Sequence, residues 1–497
     1  MPRKRLVLAA LCAAQFVLIL DVSVVNVALV PLAADLGAAP GDLQLVATAY
    51  AATFGGLLLI GGRLADAGHR RSVFLAGLLL FAAASSLCGA AWSVPVLVTG
   101  RALQGVGASL ASPAALSLLT TVFGEGRERN RALGTWAAVA AAGGAAGLVA
   151  GGVLTESVGW RAVFLVNVPI IVTTVSLALR VIPGDEGPDG PRRLVVSPWS
   201  AVTGFGALAV LLAGLSGVEG GWPRSQVIAT LTAAAALAMG FVVADRRSSV
   251  PLLPGSLVGR RTVLAANMVT LTMSAVVLGV NFFLAVHLQQ RLGLSPVQTG
   301  LAFVPITVAS ACTATVSARV VQRVGPRPLL VAGMVSMSLG AMLLARLPDQ
   351  GSYLWSVLPG MLLVAAGMGP GFAVGSIAAT SGVPPEQQGA AAALLSASTQ
   401  IGAAIGLAGL GVLAGSQGGG GSGARAAFAA MTALALTAAA AAAFLPSRGD
   451  PGESGAGPAV HLPAQAAGCL PGYVRAAATV ATDSAAPTLP ALPRPSL

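Results

Sequence analysis

Charged residues are scarce in this chain of 497 residues, where Asp, Glu, Lys and Arg together make up 9%. Ordinary soluble proteins contain about 25% charged residues, so this composition excludes a typical soluble globular protein. Hydrophobic residues make up 55%, in long stretches that recur along the chain. The sequence therefore predicts a polytopic membrane protein.

Cysteine and histidine are also rare. The four Cys residues have no CxxC spacing, and the three His residues lie far apart. This pattern predicts neither a disulfide framework nor a metal site. The HExxH, GxSxG and Walker motifs are missing as well, so we expect no enzymatic activity and no cofactor.

Counting apolar windows of about 20 residues predicts fourteen membrane spans. The alternative is twelve spans, with two segments near 197–244 outside the bilayer. Most basic residues fall in loops on the side that holds Arg3, Lys4 and Arg5. Basic residues are retained on the cytoplasmic side of a membrane. We therefore predict a multi-pass protein of the plasma membrane with both termini cytoplasmic, and we attribute the net charge of +11 to this bias rather than to nucleic-acid binding.

The first apolar stretch, residues 6–32, contains a carboxylic acid, Asp21, well inside it. An acid at the centre of a spanning helix costs about 2.5–3.5 kcal/mol, so it normally faces a protein interior or a wet cavity. No other acid of the 17 lies clearly inside a span. Asp21 is therefore the leading candidate for proton handling, and the alternative is a structural acid that bonds a neighbouring helix.

The fourth span contains a basic residue, Arg101, on one helical face with Gln104, Gly105 and Ala108. A charge on such a face must look inward, and an arginine near Asp21 would favour the ionised carboxylate. We predict that Asp21 and Arg101 form a proton-coupling pair. In the alternative interpretation, Arg101 lies near the membrane surface and extends to the lipid headgroups.

Glycines in the fifth span and charges after the second span are candidates for conformational gating. Gly143, Gly147 and Gly151 follow one another at intervals of four, a spacing typical of close helix crossing. Such a face serves either packing alone or helix sliding. The candidate gating residues are Gly62, Asp66, Arg70, Arg71, Gly147, Gly151 and Gly152.

Several stretches in order resemble the major facilitator superfamily, in particular its fourteen-span drug:proton antiporter branch. The matching stretches are LDVSVVNVALVPL at 20–32, GGRLADAGHRRSVF at 61–74, RALQGVGAS at 101–109, WRAVFLVNVP at 160–169 and QGAAAALLSASTQIGAAIG from residue 388. Two positions depart from the branch: His69 stands where a glycine is usual, and Leu148 stands where the fifth-span motif has proline.

The resemblance implies an all-α fold of two six-helix bundles that rock about a site near the middle of the bilayer. On this basis we predict an N-terminal bundle at 1–183, a linker with two additional spans at 184–250 and a C-terminal bundle at 251–446. The composition of 447–497, rich in Pro, Ala, Gly and Ser, predicts a disordered cytoplasmic tail. We expect a monomer in the lipid bilayer.

The resemblance implies proton-coupled efflux of small amphipathic drugs, antibiotics or secondary metabolites. The alternative is transport of another small organic solute on the same scaffold, including import. A receptor or channel is less compatible with a buried acid and arginine. The residues that we predict to line a substrate cavity are Asn26, Gln104, Trp136, Asn281, Phe282 and Gln400.

Overall fold

A computed structural model of the protein describes residues 2–66, 69–124, 126–184, 197–219, 221–248, 251–253, 255–348, 351–384, 387–417 and 420–445. The predicted tail at 447–497 lies outside these residues. In the described part the chain is almost entirely helical. The helices are α1 (Pro2–Leu36), α2 (Pro40–Asp66), α3 (Arg70–Gly89), α4 (Val94–Val122), α5 (Arg127–Ser157), α6 (Ala162–Leu165), α7 (Asn167–Val181), α8 (Pro198–Glu219), α9 (Arg224–Arg247), α10 (Gly255–Val258), α11 (Arg261–Gln290), α12 (Pro296–Ala302), α13 (Val304–Val324), α14 (Pro326–Leu344), a π-helical turn (Tyr353–Val357), α15 (Leu358–Thr380), α16 (Gln388–Ser416) and α17 (Gly420–Ala443).

The described residues form 14 helical segments that are long and apolar enough to cross a membrane. This confirms the predicted fourteen-span, all-α fold. Both helices of the uncertain region, α8 and α9, reach spanning length, so the twelve-span alternative is not supported.

Three of these spans are broken by short interruptions that prolines explain. α6 ends at Leu165, four residues before Pro169, which cannot donate a hydrogen bond to the Leu165 carbonyl. The break between α12 and α13 precedes Pro305 in the same way, and the π-helical turn precedes Pro359. By contrast, α1 continues through Pro31 to Leu36 and is longer than its predicted span, which ended near this proline.

The helices pack in two sets with the same pattern of neighbours. In the first half, α1–α7, α1 packs against α5 and α7, while α4 packs against α2 and α3. In the second half, α11–α17, α11 packs against α16 and α17, while α15 packs against α13 and α14. The positions of the predicted boundaries at residues 183 and 250 remain predictions.

The two halves meet where α2 packs on α16, α5 packs on α12 and α13, and α1 packs on α11 and α12. Of the two additional helices, α8 lies against both α2 and α16, and α9 packs on α8. The chain after α9 is fixed by Asp245, whose carboxylate accepts hydrogen bonds from the amides of Leu252 at 2.7 Å and Leu253 at 3.0 Å. The additional helices are therefore tied to the start of the second half.

We call the side of the molecule at which α1 begins the N-terminal side, and the opposite side the far side. Successive spans alternate in direction, so α2 begins on the far side, and α8, α11 and α16 end there. These two terms locate the sites below.

Candidate functional site

The carboxylate of Asp21 lies fully buried in the first half, between α1 and α4. At 1.5 Å per residue, Asp21 is about 22 Å from the end of α1 at Leu36. Its Oδ2 is 2.5 Å from Nη1 of Arg101, and the two residues are 0% and 2% exposed. The structure therefore brings together the two residues predicted to act as a pair.

Two side-chain amides complete the surroundings of the carboxylate. Nε2 of Gln104 donates to Asp21 Oδ1 at 2.9 Å, and Nδ2 of Asn167 donates to the same oxygen at 2.7 Å. Gln104 also donates to Oγ of Ser85 at 2.8 Å and accepts from Arg101 Nη1 at 2.9 Å. Residues from α1, α3, α4 and α7 thus form one hydrogen-bonded network, which we call the Asp21 network.

Arg101 is held in place by α2 as well as by the acid. Its Nε donates to the carbonyl of Val46 at 3.2 Å, and its guanidinium lies 4.6 Å from the ring centroid of Tyr50. The ring centroid of Phe164 lies 5.9 Å from the guanidinium. A guanidinium is planar and carries five donors, which suits it to bond and stack at once.

Arg101 faces the protein interior, as the first interpretation of the sequence expected. It does not extend to lipid headgroups, because only 2% of it is exposed. It does not form the wall of an open cavity either, since its partners in α1 and α2 enclose it. The small residues beside it explain this: Gly105 has its Cα against the backbone of Tyr50, where an added Cβ would lie 2.5 Å from the carbonyl oxygen.

The Asp21 network can hold a negative charge inside the protein and can respond when that charge disappears. An ionised carboxylate accepts hydrogen bonds only, and here it receives three donors. A protonated carboxyl would become a donor and would no longer balance Arg101. Two polar atoms at the network, Tyr50 Oη and Asn167 Oδ1, have no hydrogen-bond partner in the described part of the chain. Both oxygens can accept a hydrogen bond if the network rearranges after Asp21 is protonated.

The sequence did not identify Ser85, Tyr50 or Asn167 as site residues. Asn167 and Ser85 are polar residues within apolar spans, and both are 0% exposed. That is the pattern from which Asp21 was identified, although an uncharged polar residue is common enough in spans to give a weaker indication. Tyr50 had no such pattern, because its contact with Arg101 depends on how α2 packs against α4.

The glycines of α5 lie on two different faces. Gly147 packs on α1, where an added Cβ would lie 2.8 Å from the Leu20 carbonyl oxygen, and Gly151 packs on Val24 in the same way. Gly152 faces α12 of the second half, where a Cβ would lie 2.6 Å from the Pro296 carbonyl oxygen. The stripe seen in the sequence is thus a contact within the first half, whereas Gly152 lies at the contact between the halves.

Leu148, at the position where the fifth-span motif has a proline, lies at that same contact between the halves. Leu148 is 7% exposed, and its carbonyl oxygen stands so close to Gly300 of α12 that no Cβ fits there. Helix α5 continues unbroken from Arg127 to Ser157. Leucine therefore preserves a regular helix where the branch usually has a proline.

The charged residues near the start of α3 join helix ends on the N-terminal side. Nη1 of Arg70 donates to Oγ1 of Thr121 at 2.6 Å, and Nη2 of Arg71 donates to the carbonyl of Leu179 at 3.0 Å. Gly62 has only Pro113 near it, at 3.8 Å from an added Cβ. Asp66 is the last residue of α2, and its side chain lies outside what the structure describes.

The six residues predicted to line a substrate cavity do not share one site. Gln104 belongs to the Asp21 network, and Asn26 donates to the Val22 carbonyl of its own helix at 3.2 Å. Gln400 faces Gly55 across the contact of α16 with α2. Trp136 and Asn281 are half-buried on α5 and α11. Their common role in binding remains a prediction.

The sixth residue, Phe282, lines a cavity of about 590 Å³ on the far side. Residues from the ends of α1, α2, α8, α11, α16 and α17 form its wall, so both halves and an additional helix contribute. Its polar lining includes Asp42 and Gln44 of α2, His287 of α11, and Arg291, which directly follows α11. Ligand cavities in proteins commonly measure about 300–1,000 Å³.

Comparison with known proteins gives one family. The model of the Major Facilitator Superfamily matches residues 11–389 and again residues 262–482. The two overlapping matches together cover most of the chain.

Curated relatives match over four-fifths of the chain. The puromycin resistance protein pur8 of Streptomyces alboniger is 38% identical over 82% of this chain and 81% of its own length. The cephamycin export protein CmcT of Amycolatopsis lactamdurans is 41% identical over 82% of this chain and 84% of its own length. Among solved structures, a bacterial homolog to the human lysosomal transporter Spinster, in an inward-facing and unoccupied conformation, matches with a TM-score of 0.63. It shares 16% identity and covers 89% of this chain and 96% of that one, which supports the fold alone.

Proposed function

The chain belongs to the Major Facilitator Superfamily, and we propose that it exports amphipathic antibiotics or secondary metabolites from the cell in exchange for protons. The N-terminal side then faces the cytoplasm, in agreement with the basic residues at Arg3, Lys4 and Arg5. The relatives support the class of compound, because two of them carry puromycin resistance and cephamycin export in their names.

The observation that best supports proton exchange is the buried carboxylate of Asp21, whose Oδ2 lies 2.5 Å from Nη1 of Arg101. A charge pair inside a membrane protein is expensive to maintain and marks proton or ion pathways. When Asp21 takes up a proton, Arg101 loses its counter-charge. The ion pair and hydrogen bonds through which the carboxylate joins α1 to α4 and α7 then become weaker. Since α1 also contacts α5 and α11, protonation at Asp21 is linked to the contact between the halves.

The compound class is tested first by the tolerance of cells. A susceptible bacterium that expresses the protein should tolerate higher concentrations of puromycin or of a cephamycin than cells without it. Cells expressing Asp21→Asn at the same membrane level should lose this tolerance. Equal sensitivity with and without the wild-type protein would exclude both compounds as substrates.

Proton exchange is tested in inverted membrane vesicles that are energised by a pH gradient. Addition of a transported compound should release protons from wild-type vesicles and should release none from vesicles with Asp21→Asn. Asparagine keeps the shape and the acceptor oxygen for Arg101 but cannot titrate.

The matched control is Asp35→Asn on the same helix. Asp35 pairs with Arg161 at 2.6 Å, but 47% of its side chain is exposed, outside the Asp21 network. This variant should couple like the wild type. Undiminished proton release from Asp21→Asn would contradict the proposal and leave Asp21 with a structural role.

A further inference from the structure

The far-side cavity contains a buried polar atom that has no hydrogen-bond partner among the described residues. Gln44, on the second turn of α2, is 7% exposed and lines the cavity. Its Oε1 accepts no hydrogen bond from the described residues. A buried acceptor without a donor costs about 1–3 kcal/mol, so this atom in the cavity wall is open to a donor from a ligand or from water.

Another part of the cavity wall is formed by the end of α11 and the residue that follows it. Phe283, His287 and Arg291 follow at intervals of four residues, so they lie on one helical face. Phe282 contacts Phe283 with ring centroids 5.2 Å apart, and both rings line the cavity. This wall offers an aromatic surface at its deep end and a cation at its rim.

The charge at the rim favours an anionic group. Arg291 is exposed, and no described carboxylate lies within ion-pair distance of it. The acid in the cavity lining, Asp42, has one oxygen engaged, because Oδ2 accepts a hydrogen bond from the amide of Ala39 at 2.9 Å. Guanidinium groups bind carboxylates, sulfonates and phosphates through paired charge-assisted hydrogen bonds.

Small residues of α16 form a further part of the wall. Gly411 and Gly415 of α16 line the cavity with Ala414 between them, and such residues leave room for a rigid ring system. The cavity therefore combines an aromatic and glycine-lined interior, an acceptor at Gln44 and a cation at Arg291.

We propose that this cavity binds an amphipathic organic anion. Its apolar body lies against Phe282 and Phe283, an N–H or O–H group donates to Gln44 Oε1, and its anionic group contacts Arg291. The site is distinct from the Asp21 network, which lies in the first half alone. Because helices of both halves form the wall, an occupant holds the halves together on the far side. A role of this site in the release of exported compounds rests on the proposed export function. Binding of the anion to the cavity does not depend on transport.

Binding can be measured by protection of one cysteine from a maleimide. The reporter is Ser416→Cys, at the exposed end of α16 in the cavity wall, with Cys312 and Cys469 replaced by Ser. The remaining Cys12 and Cys88 are buried. The protein is embedded in nanodiscs, and the probe is 8-anilinonaphthalene-1-sulfonate, which carries an apolar body, one N–H and one sulfonate. At about ten times the dissociation constant of the probe, labelling should slow about tenfold.

Two variants and a second probe locate the contacts. Gln44→Leu should weaken protection about three- to tenfold, and Arg291→Gln should weaken it about tenfold or more, since it removes a charge-assisted bond. N-phenyl-1-naphthylamine has the same body and N–H without the sulfonate. It should protect the wild type more weakly, and Arg291→Gln should abolish the difference between the two probes.

Matched controls come from α9, which begins on the same side but does not line the cavity. In the Gln226→Leu and Arg224→Gln variants, the probe should protect the reporter cysteine as well as it does in the wild type. Gln44→Leu should also raise the melting temperature without probe, because it removes an unpaired buried acceptor. Protection that is equal in Gln44→Leu, Arg291→Gln and the controls would overturn the proposal, as would the lack of any saturable protection. Neither result depends on whether the protein exports antibiotics.

Discussion

The first helix of each half packs against the fifth span of that half through glycines. In the first half, Gly147 of α5 lies on α1, and an added Cβ would be 2.8 Å from both the Leu20 carbonyl oxygen and the Ser23 Cβ. In the second half, Gly402 of α16 lies on α11 against the backbone of Leu271, again without room for a Cβ. In these helix contacts the two halves are alike.

The halves differ in the polar groups that this packing buries. α1 contains a carboxylate that is paired with Arg101, whereas no Asp, Glu, Lys or Arg is buried among the described residues of α11. Asn267 accepts from Ser398 Oγ at 2.8 Å and donates to the Val263 carbonyl at 2.8 Å. Thr270 and Ser274 are 3% and 4% exposed, and their hydroxyl oxygens have no partner among the described residues.

This difference separates two requirements of the fold. Close packing between the first and fifth spans needs only small residues, and both halves meet it. A buried charge pair costs desolvation that packing does not require, so its restriction to one half indicates a task of that half. Substitutions in the Asp21 network and at matching positions of the second half test whether the network performs that task.

The largest effect is expected from Arg101→Gln, which leaves Asp21 buried without its counter-charge. Breaking a buried pair in this way costs about 3–5 kcal/mol. The melting temperature of the detergent-solubilised protein should fall sharply. Adding Asp21→Asn to Arg101→Gln should restore much of the stability, since both charges are then gone, but should not restore proton release.

Arg101→Lys sharpens the same test. Lysine keeps the charge but lacks the planar guanidinium, whose Nε donates to the Val46 carbonyl while its Nη1 donates to Asp21 and Gln104. Its stability should lie between those of wild type and Arg101→Gln, with slower transport. A wild-type melting temperature in Arg101→Gln would contradict the importance of the pair and make the two halves equivalent.

A smaller effect is expected from paired asparagine variants. Asn167→Leu removes a donor to a carboxylate, at 2.7 Å, and Asn267→Leu removes a partner of a neutral hydroxyl. Bonds to charged groups contribute about 1.5–3 kcal/mol, and neutral bonds about 0.5–1.5 kcal/mol. Asn167→Leu should therefore lower the melting temperature more and should also shift the pH dependence of transport. Equal behaviour of the two variants would mean that the charge does not distinguish the halves.

The sequence predicted the charged part of the site better than the neutral part. Asp21 was found because a single acid within a long apolar run is costly, and Arg101 because its helical face carries small residues. Asn167 and Ser85 were missed, since neutral polar side chains in a span carry a smaller cost. Gln44 lies near the start of α2, where a glutamine suggests only a helix end, and its burial depends on the neighbouring helices.

The pattern of hydrophobic residues also predicted the membrane spans more completely than it predicted the contacts between helices. The fourteen spans follow from hydrophobicity and length alone. Spacing identified the glycine face of α5 but not its partners, because Gly151 and Gly152 are adjacent in sequence and face different helices. Which helix approaches a face depends on packing over the whole molecule, and no local pattern contains that information.

The smallest effect is expected where the halves are alike, from Gly147→Ala and Gly402→Ala. Each added methyl meets the backbone of the first helix, and overpacking of this kind costs about 1–3 kcal/mol. Alanine also favours a helix over glycine by about 1 kcal/mol, which offsets part of the cost. Both variants should lower the melting temperature, and Gly402→Ala should lower it more than Gly147→Ala because its added Cβ would lie closer to a backbone carbonyl oxygen. Gly409→Ala on α16, with nothing near its Cβ, should not lower it. Proton coupling per transported molecule should remain unchanged in all three, because none of them touches the Asp21 network. If Gly147→Ala abolished coupling while Gly402→Ala did not, sliding of α5 on α1 would be part of proton exchange, and the difference between the halves would extend from charge to packing.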